Sequence, residues 1–221
     1  MNPVDLRLYG IVDPTRTLGR DLVQLVRAAV EGGCTLIQYR DKHAETRAFV
    51  ERARAIKAAL DGTRVPLLIN DRVDVALAAE ADGVHVGQDD MHAADARRLL
   101  GPKAVVGITI KTPAQADELY RLPVDYACIG GVFATESKLN PEPPVGLDGF
   151  SRIAFRARLA GGDIPIGAIA GIDPTNAASV IATGADGVAV ISAIFAVDNV
   201  EAAARRLRTT VDGTLAARGA A

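Results

Sequence analysis

The stretch ADGVHVGQDD, Ala81 to Asp90, places a short apolar run between a helical segment and a group of polar residues. Its first four letters return as ADGV at 185–188, again after an Ala-containing helical segment and before an apolar run. Both runs are apolar at consecutive positions, which is typical of parallel strands covered by helices. The repeat therefore predicts two similar βα units in different parts of the chain.

The same alternation extends outward from these two units to both ends of the chain. Eight strands are predicted, at Leu6–Val12, Thr35–Tyr39, Pro66–Ile69, Gly83–Val86, Val105–Ile110, Tyr126–Ile129, Pro165–Ala170 and Gly187–Ile191. Helices are predicted at Arg20–Val30, Arg47–Leu60, Ala93–Leu100, Ala114–Leu122, Leu147–Leu159, Thr175–Thr183 and Glu201–Val211. Eight units without a Gly-Pro-rich linker predict an α/β fold, a single (β/α)₈ TIM barrel over residues 1–221 with its core at about 6–211.

Composition narrows the function classes. A net charge of −2 argues against a nucleic-acid partner. No apolar run is long enough to span a bilayer, and the start of the chain lacks a secretory signal pattern, so we expect no membrane partner and a cytoplasmic location. Cys34 and Cys128 lie in apolar runs, which predicts buried free thiols in a reducing compartment. The oligomeric state is left open, a homo-oligomer included.

Barrel enzymes carry their functional residues on the loops that follow the strands. Arg40, Lys42 and Lys138 follow different strands and would converge on one rim, where cations bind polyphosphate. Asp71 and Asp90 follow two neighbouring strands and are the hard oxygen ligands that Mg²⁺ uses together with substrate phosphate. These residues predict a diphosphate site with Mg²⁺ as cofactor.

A second, smaller phosphate site is predicted at the end of the barrel. The run Ala170–Pro174 suggests a strand, a Gly turn at Gly171, an N-cap at Asp173 and Pro174 as the first helical residue. Ser192 could open a short extra helix after the eighth strand. Backbone N–H groups in the last two loops are the usual phosphate ligands of these barrels. The partners are therefore expected to be small phosphorylated molecules.

Each residue also has a purely structural interpretation. Asp71 and Asp90 could each cap the helix that follows, with roughly even odds taken singly. Arg40 and Lys42 could be solvated charges, and Gly171 could serve only a turn. The remaining polar residues could be ordinary loop and strand residues, and His85 is expected to be inward-packed rather than catalytic. The coincidence of such groups at nearly every strand end favours a functional site.

In this order, the motifs resemble the thiamine-phosphate synthase family. They are Gln38-Tyr-Arg-Asp-Lys42, Asn70-Asp-Arg72, Asp82-Gly-Val-His-Val-Gly-Gln-Asp-Asp90, Gly107-Ile-Thr109, Thr135-Glu-Ser-Lys138, Ile164 to Ile172, and Ala185 to Ser192. The resemblance runs from about Leu8 to Ser192. It implies a Mg²⁺-dependent transferase that joins 4-amino-2-methyl-5-hydroxymethylpyrimidine diphosphate to 4-methyl-5-(2-phosphoethyl)thiazole and releases diphosphate and thiamine phosphate.

The resemblance also assigns roles to residues. Arg40, Lys42 and Lys138 would be catalytic. The pyrimidine diphosphate would be bound by Gln38, Arg40, Lys42, Asn70, Thr109 and Lys138. Mg²⁺ would be bound by Asp71 and Asp90. The thiazole phosphate would be bound by Thr135, Ser137, Gly171, Ile191 and Ser192.

Some positions depart from the family pattern. Thr109 stands where the family usually has Ser, Ser137 where it often has Thr, Gly131 where Pro is common and Ala170 where Gly is common. The loop Ser137–Gly146, rich in proline, is expected to act as a lid. Two other functions compete, a thiazole tautomerase-like isomerase and a non-catalytic barrel that binds thiamine precursors. The retained diphosphate and metal residues favour the synthase over the isomerase.

Overall fold

A closed barrel of eight parallel strands forms the centre of the molecule. The structure, a computed structural model, describes residues 4–137 and 143–220. The strands pair in chain order, and the last one returns to pair with the first. They are β1 (Leu8–Val12), β2 (Leu36–Tyr39), β3 (Leu67–Asn70), β4 (Gly83–Val86), β5 (Val105–Ile110), β6 (Tyr126–Ile129), β7 (Ile166–Ile169) and β8 (Gly187–Val190). The predicted α/β TIM barrel is confirmed.

Helices surround the barrel. Within the described ranges they are α1 (Leu22–Glu31), α2 (Thr46–Ala59), α3 (Val73–Ala78), α4 (Ala93–Leu100), α5 (Pro113–Asp117), α6 (Gly146–Gly161), α7 (Ala177–Ala182), α8 (Ser192–Phe195) and α9 (Val200–Gly219). The seven predicted helices are present, but the last one runs to Gly219, eight residues beyond the predicted end at Val211, and the predicted Ala114–Leu122 helix is α5 followed by a 3-10 turn at Glu118–Arg121. The short extra helix α8 after β8 is also present. Helix α3 was not predicted, because its six residues are too few to show a helical period.

The alternation of side chains along each strand separates two apolar regions. One side faces the helices: Tyr39 packs edge-on against Phe49 of α2, with ring centroids 4.9 Å apart. The other side faces the barrel lumen, where Tyr9 and Tyr126 lie in a separate buried cluster. Tyr39 therefore points away from the lumen, and Gln38 beside it lies on the lumen side, where it contacts Tyr9.

The repeated Asp-Gly pairs have a structural role at the amino ends of the strands. Asp82 accepts a hydrogen bond from the N–H of Leu67, the first residue of the preceding strand, at 2.7 Å. Asp186 accepts one from the N–H of Ile166 at 2.8 Å in the same way. Asp125, before β6, accepts a hydrogen bond from the N–H of Val106 in β5. Each of these Asp side chains therefore links two adjacent strands at the amino ends of the strands, opposite the carboxyl ends where the predicted site residues lie.

The remaining sequence predictions concern the cysteines, membrane-spanning segments and the predicted lid. Cys34 and Cys128 are both buried and free, as predicted. No helix in the described part of the chain is long and apolar enough to cross a membrane. Lys138, and with it much of the predicted Ser137–Gly146 lid, lies outside the described residues.

Candidate functional site

The predicted site residues that the structure describes follow the carboxyl ends of the strands and fall into two groups. We call the group that follows β1–β4 the charged half; it comprises the predicted residues Arg40, Lys42, Asn70, Asp71 and Asp90, together with Asp13, which was not predicted. We call the group that follows β6–β8 the cavity half; it comprises Thr135, Ser137, Gly171, Ile191 and Ser192. Thr109, at the end of β5, lies between the two halves.

Asp71 is the centre of the charged half. Its carboxylate accepts a hydrogen bond from Asn70 Nδ2 at 2.6 Å and forms an ion pair with the Lys42 ammonium. Burial and the neighbouring Asp90 carboxyl raise the pKa of Asp71, and Lys42 opposes that shift. Its backbone adopts φ +62°, a left-handed conformation that non-glycine residues adopt at a cost and that is enriched at functional sites. The protein therefore holds two carboxyl groups together at an energetic cost.

Neither carboxylate caps the helix that follows it, so the capping interpretation is wrong. The residue before α3 is Arg72, and it makes no side-chain capping hydrogen bond. His92 occupies the N-cap of α4, where its Nδ1 accepts from the N–H of Ala94. Asp90 instead accepts a hydrogen bond from the N–H of Gly87 at 2.7 Å, within its own loop.

The donor set of the charged half fits a divalent cation that also binds a substrate phosphate. Within residues 4–137 and 143–220, no group of three or more His, Cys, Asp or Glu side chains could form an all-protein metal cage. Two carboxylates with open positions are instead what Mg²⁺ typically uses beside phosphate oxygens. A cation at this place would also relieve the repulsion between Asp71 and Asp90.

Arg40 is held by a buried acid. Its guanidinium forms an ion pair with Asp13, whose side chain is only 2% exposed. Asp13 also accepts hydrogen bonds from the N–H of Thr15 at 2.9 Å and from its hydroxyl at 2.7 Å. Arg40 is thus held by a buried carboxylate before any ligand arrives, whereas the Lys42 side chain is 46% exposed.

The cavity half opens on a pocket of about 670 Å³. All five members of the cavity half line it, together with Thr109. Ser137 and Ser192 meet there, with their hydroxyl oxygens 2.6 Å apart. Thr135 Oγ1 accepts a hydrogen bond from the N–H of Ser137 at 3.2 Å. Hydroxyl groups therefore form the polar part of the pocket wall, beside apolar residues such as Ile169 and Val190.

Gly171 brings the backbone of the loop after β7 to this pocket. Its φ is +64°, and a Cβ at this position would lie 2.3 Å from the carbonyl oxygen of Ala134. Only glycine fits both constraints. On the other side of the pocket, the N–H groups of Ile194 and Phe195 donate to the carbonyl of Ile191, so helix α8 starts at the pocket.

The regular helix after β7 begins two residues after the predicted start at Thr175. Helix α7 begins at Ala177, and Asn176 is the residue before it. Asp173 caps the turn that leads into the helix: its side chain accepts hydrogen bonds from the N–H and hydroxyl of Thr175, and its carbonyl accepts from the N–H of Ala177. The side chain of Asn176 donates to the carbonyl of Gly171 at 2.9 Å and stabilises the same turn. The Asp-Pro pair therefore marks the turn from which the helix starts.

Sequence reasoning missed several residues of the mouth. Asp13 follows β1 directly, and its position at a strand end was an available signal. Arg16 and Lys111 line the pocket, and both also follow strands. Arg16 donates to the carbonyl of Glu136 and so connects the first and sixth loops.

The fold and this site define the class of the protein. A (β/α)₈ barrel that gathers cations, paired carboxylates and a backbone-lined pocket at the carboxyl ends of its strands is a barrel of the phosphate-binding enzyme type.

Comparison with known proteins narrows this class. The family model described as thiamine monophosphate synthase matches residues 8–194. A thiamine-phosphate synthase of Agrobacterium fabrum is 53% identical over 218 residues, covering 99% of each chain. One of Chloroflexus aurantiacus is 47% identical, covering 96% of this chain and 95% of its own. The solved structure of the thiamine phosphate pyrophosphorylase from Pyrococcus furiosus has a TM-score of 0.83 and 35% identity, covering 96% and 98%. The chain belongs to the thiamine monophosphate synthase family.

Proposed function

We propose that this chain joins 4-amino-2-methyl-5-hydroxymethylpyrimidine diphosphate to 4-methyl-5-(2-phosphoethyl)thiazole and releases diphosphate and thiamine phosphate. Family membership makes the chain a transferase of thiamine biosynthesis. The observation that carries the proposal is the pairing of two chemically different halves at one barrel mouth. One half offers cations and carboxylates for a diphosphate with Mg²⁺, and the other offers hydroxyls and backbone for a single phosphate.

The charged half would bind the pyrimidine diphosphate. Arg40 and Lys42 would contact the diphosphate, and Lys138 would add a third cation from the sixth loop. Gln38, Asn70 and Thr109 would bind the same substrate through neutral hydrogen bonds. Asp71 and Asp90 would hold Mg²⁺, which would supply positive charge to the departing diphosphate.

The cavity half would bind the thiazole phosphate. The N–H groups of Gly171 and Ser192 have no carbonyl partner within the described residues, so they are available to phosphate oxygens. Thr135 and Ser137 would add hydroxyl donors, and Ile191 would contribute backbone at the start of α8. A phosphate held this way depends on the shape of two loops more than on any single side chain.

The arrangement favours a dissociative reaction. The carbon–oxygen bond to the diphosphate would break first, its electron pair leaving on the diphosphate oxygen, and the thiazole nitrogen lone pair would then form the new carbon–nitrogen bond. Burial raises the pKa of both Cys34 and Cys128 to about 12, so neither thiol is a ready nucleophile. The thiazole nitrogen has no proton to lose, so no general base is required. The contribution of the residues is fixed positive charge where negative charge develops.

The test of the reaction is turnover of the purified protein with both precursors. We expect thiamine phosphate and diphosphate in equal amounts with Mg²⁺, and no product once a chelator removes the metal. Binding of both precursors without formation of product would indicate a non-catalytic barrel that binds thiamine precursors. Tautomerisation of the thiazole without any use of the diphosphate would indicate the isomerase instead.

The test of the dissociative order is a substrate analogue. Replacing the ring methyl of the pyrimidine by a strongly electron-withdrawing group destabilises a cation-like transition state and leaves the ground-state contacts nearly unchanged. We expect single-turnover rates to fall severely while binding changes little. Equal rates for the analogue and the natural substrate would indicate direct displacement.

A further inference from the structure

Five polar side chains form a continuous hydrogen-bonded chain across the barrel lumen. Gln38 Nε2 donates to Tyr9 Oη, and Tyr9 Oη lies 2.9 Å from Tyr126 Oη. The chain continues from Tyr126 Oη to His85 Nδ1 at 2.8 Å and from His85 Nε2 to Thr109 Oγ1 at 2.7 Å. It begins and ends at two residues that the proposed function places against the pyrimidine, whereas the three central residues have no role there.

The lumen is shaped around this chain. Gly107 on β5 leaves room for Tyr126, since a Cβ at position 107 would lie 2.1 Å from the tyrosine ring. His85 stacks on the same ring, with centroids 5.5 Å apart, and Tyr9 meets it edge-on at 5.9 Å. Tyr9 and Tyr126 are 1% and 0% exposed. These contacts hold the rings in place, so the hydrogen bonds have a fixed geometry.

Burial fixes the direction of each hydrogen bond. Desolvation raises the pKa of Tyr9 and of Tyr126, so both hydroxyls keep their protons at neutral pH. The Tyr9 hydroxyl accepts from the Gln38 amide, so its own proton must go to Tyr126, its other partner among the described residues. Tyr126 must in turn donate to Nδ1 of His85. A neutral imidazole that accepts at Nδ1 carries its proton on Nε2, and that N–H donates to Thr109 Oγ1.

The two ends of the chain therefore present opposite polarity. The amide of Gln38 uses its nitrogen inside the chain, which leaves Oε1 as an acceptor. No buried polar side-chain atom among the described residues lacks a partner, and Oε1 has no hydrogen-bond partner among those same residues, so it must reach accessible space. Thr109 accepts from His85, which leaves its own proton to donate into the pocket that it lines.

We propose that Tyr9, Tyr126 and His85 are positioning residues that set Gln38 as an acceptor and Thr109 as a donor, and so select an aminopyrimidine ring. Such a ring offers an exocyclic N–H to an acceptor and an unprotonated ring nitrogen to a donor. The corresponding oxo-pyrimidine offers a carbonyl and a ring N–H, which is the reverse polarity. The inference rests on the proposed function, because it names what the same site recognises in its substrate.

The test is discrimination between the two rings. Tyr126→Phe removes one hydroxyl from the middle of the chain and keeps the ring, and Tyr9→Phe does the same one link away. We expect the ratio of kcat/KM for the aminopyrimidine diphosphate over its 4-oxo analogue to fall by on the order of 10²-fold in either variant, since a site built to hydrogen-bond a group strongly rejects analogues that lack it. The KM for thiazole phosphate and the Mg²⁺ requirement should not change.

Tyr39→Phe is the matched control. Tyr39 is equally buried, but its hydroxyl donates to Asp41 on the helix side of the sheet. This variant should keep the wild-type ratio. An unchanged ratio in a folded Tyr126→Phe or Tyr9→Phe protein would overturn the inference while leaving the synthase function intact. Absence of product from the wild-type protein would overturn the proposed function instead.

A second measurement does not depend on turnover. The ¹⁵N chemical shifts of the His85 ring in the wild-type protein should show the neutral tautomer with its proton on Nε2. Tyr126→Phe removes the donor to Nδ1, and we expect the two ring nitrogen shifts to move toward each other. A wild-type His85 with its proton on Nδ1 would reverse the chain and overturn the inference, even if the phenylalanine variants fail to fold.

Discussion

In the proposed function, both halves of the barrel mouth bind phosphate, but they differ in which groups would do so. In the charged half, Arg40 and Lys42 are each paired with a carboxylate. In the cavity half, Gly171 brings its backbone close, and the described lining is rich in hydroxyls. The first half therefore depends on which side chains are present, and the second depends on where a side chain is absent.

This difference predicts opposite sensitivities to mutation. Shortening a side chain should be most damaging in the charged half, because it leaves a buried or crowded charge without its partner. Adding a single carbon should be most damaging in the cavity half, because a Cβ blocks both the turn and the pocket. The predictions below test this contrast, in order of decreasing expected effect.

The largest effect is expected from Asp71→Ala or Asp90→Ala. Each should lower kcat/KM by on the order of 10³-fold, since a metal ion contributes several kcal/mol to stabilising a departing charge. The melting temperature should change little, because neither carboxylate caps a helix. The measurement is steady-state turnover against Mg²⁺ concentration, together with thermal unfolding. Asp89→Ala, at the exposed neighbour of Asp90, is the control and should behave like wild type. Near-normal rates in the two variants would remove the metal site from the charged half.

A smaller effect, now on stability, is expected from Arg40→Met. It leaves the Asp13 carboxylate buried without its cation, which should lower the free energy of unfolding by about 3 kcal/mol. Lys42→Met is the matched comparison, because that ion pair is exposed on the lysine side and should cost less than about 1 kcal/mol. Chemical denaturation measures both. Equal losses of unfolding free energy in the two variants would mean that burial of Asp13 does not make the Arg40 ion pair more important for stability than the Lys42 ion pair.

Gly171→Ala tests the cavity half. The substitution forces alanine into a left-handed conformation and against the Ala134 carbonyl, so we expect a loss of about 2 kcal/mol in the free energy of unfolding. The KM for thiazole phosphate should rise at least tenfold, since 1.4 kcal/mol of lost binding has that effect, and the KM for the pyrimidine diphosphate should be little affected. Ser137→Ala, which removes a hydroxyl without moving the backbone, should raise the same KM less. A larger effect from Ser137→Ala would show that side chains, not backbone, carry this half.

The smallest effect is expected at Ala170, which adopts φ +93° beside Gly171. Ala170→Gly removes left-handed strain of roughly 1–2 kcal/mol and adds an entropic cost of roughly 0.5–1 kcal/mol, so stability should rise by about 0.5 kcal/mol. Ala168→Gly on β7 is the control: this residue is buried in a strand and has no strain to relieve, so that variant should be less stable. Thermal unfolding of the two variants checks the sign. A destabilised Ala170→Gly would mean that the chain accommodates alanine at this turn without strain.

Much of the fold could be predicted from the sequence, because its signals are local. The eight strands were identified within one or two residues at each end, since consecutive apolar residues with turn residues at their ends mark a buried parallel strand. The exceptions were also local. Helix α3 was too short to show its period, and the turn held by Asp173 and Asn176 delays the start of regular helix α7 by two residues.

The candidate site was only partly predictable. Polar residues at strand ends were visible once the strand register was known, and so was the resemblance to a known family. The ion pair between Asp13 and Arg40 was not visible, because 27 positions separate the two residues. The lumen chain was not visible either, since tyrosine and histidine in apolar runs look like ordinary core residues.

By itself the sequence determined the order of strands and helices, the polar groups at the strand ends and the family to which the chain belongs. These follow from local periodicity and from motifs of a few residues. Only the tertiary structure decided which side chains meet, because closing the barrel brings together residues as far apart as Tyr9 and Tyr126, 117 positions along the chain. Burial then fixed the direction of their hydrogen bonds, since a polar atom removed from water must find its partner inside the protein.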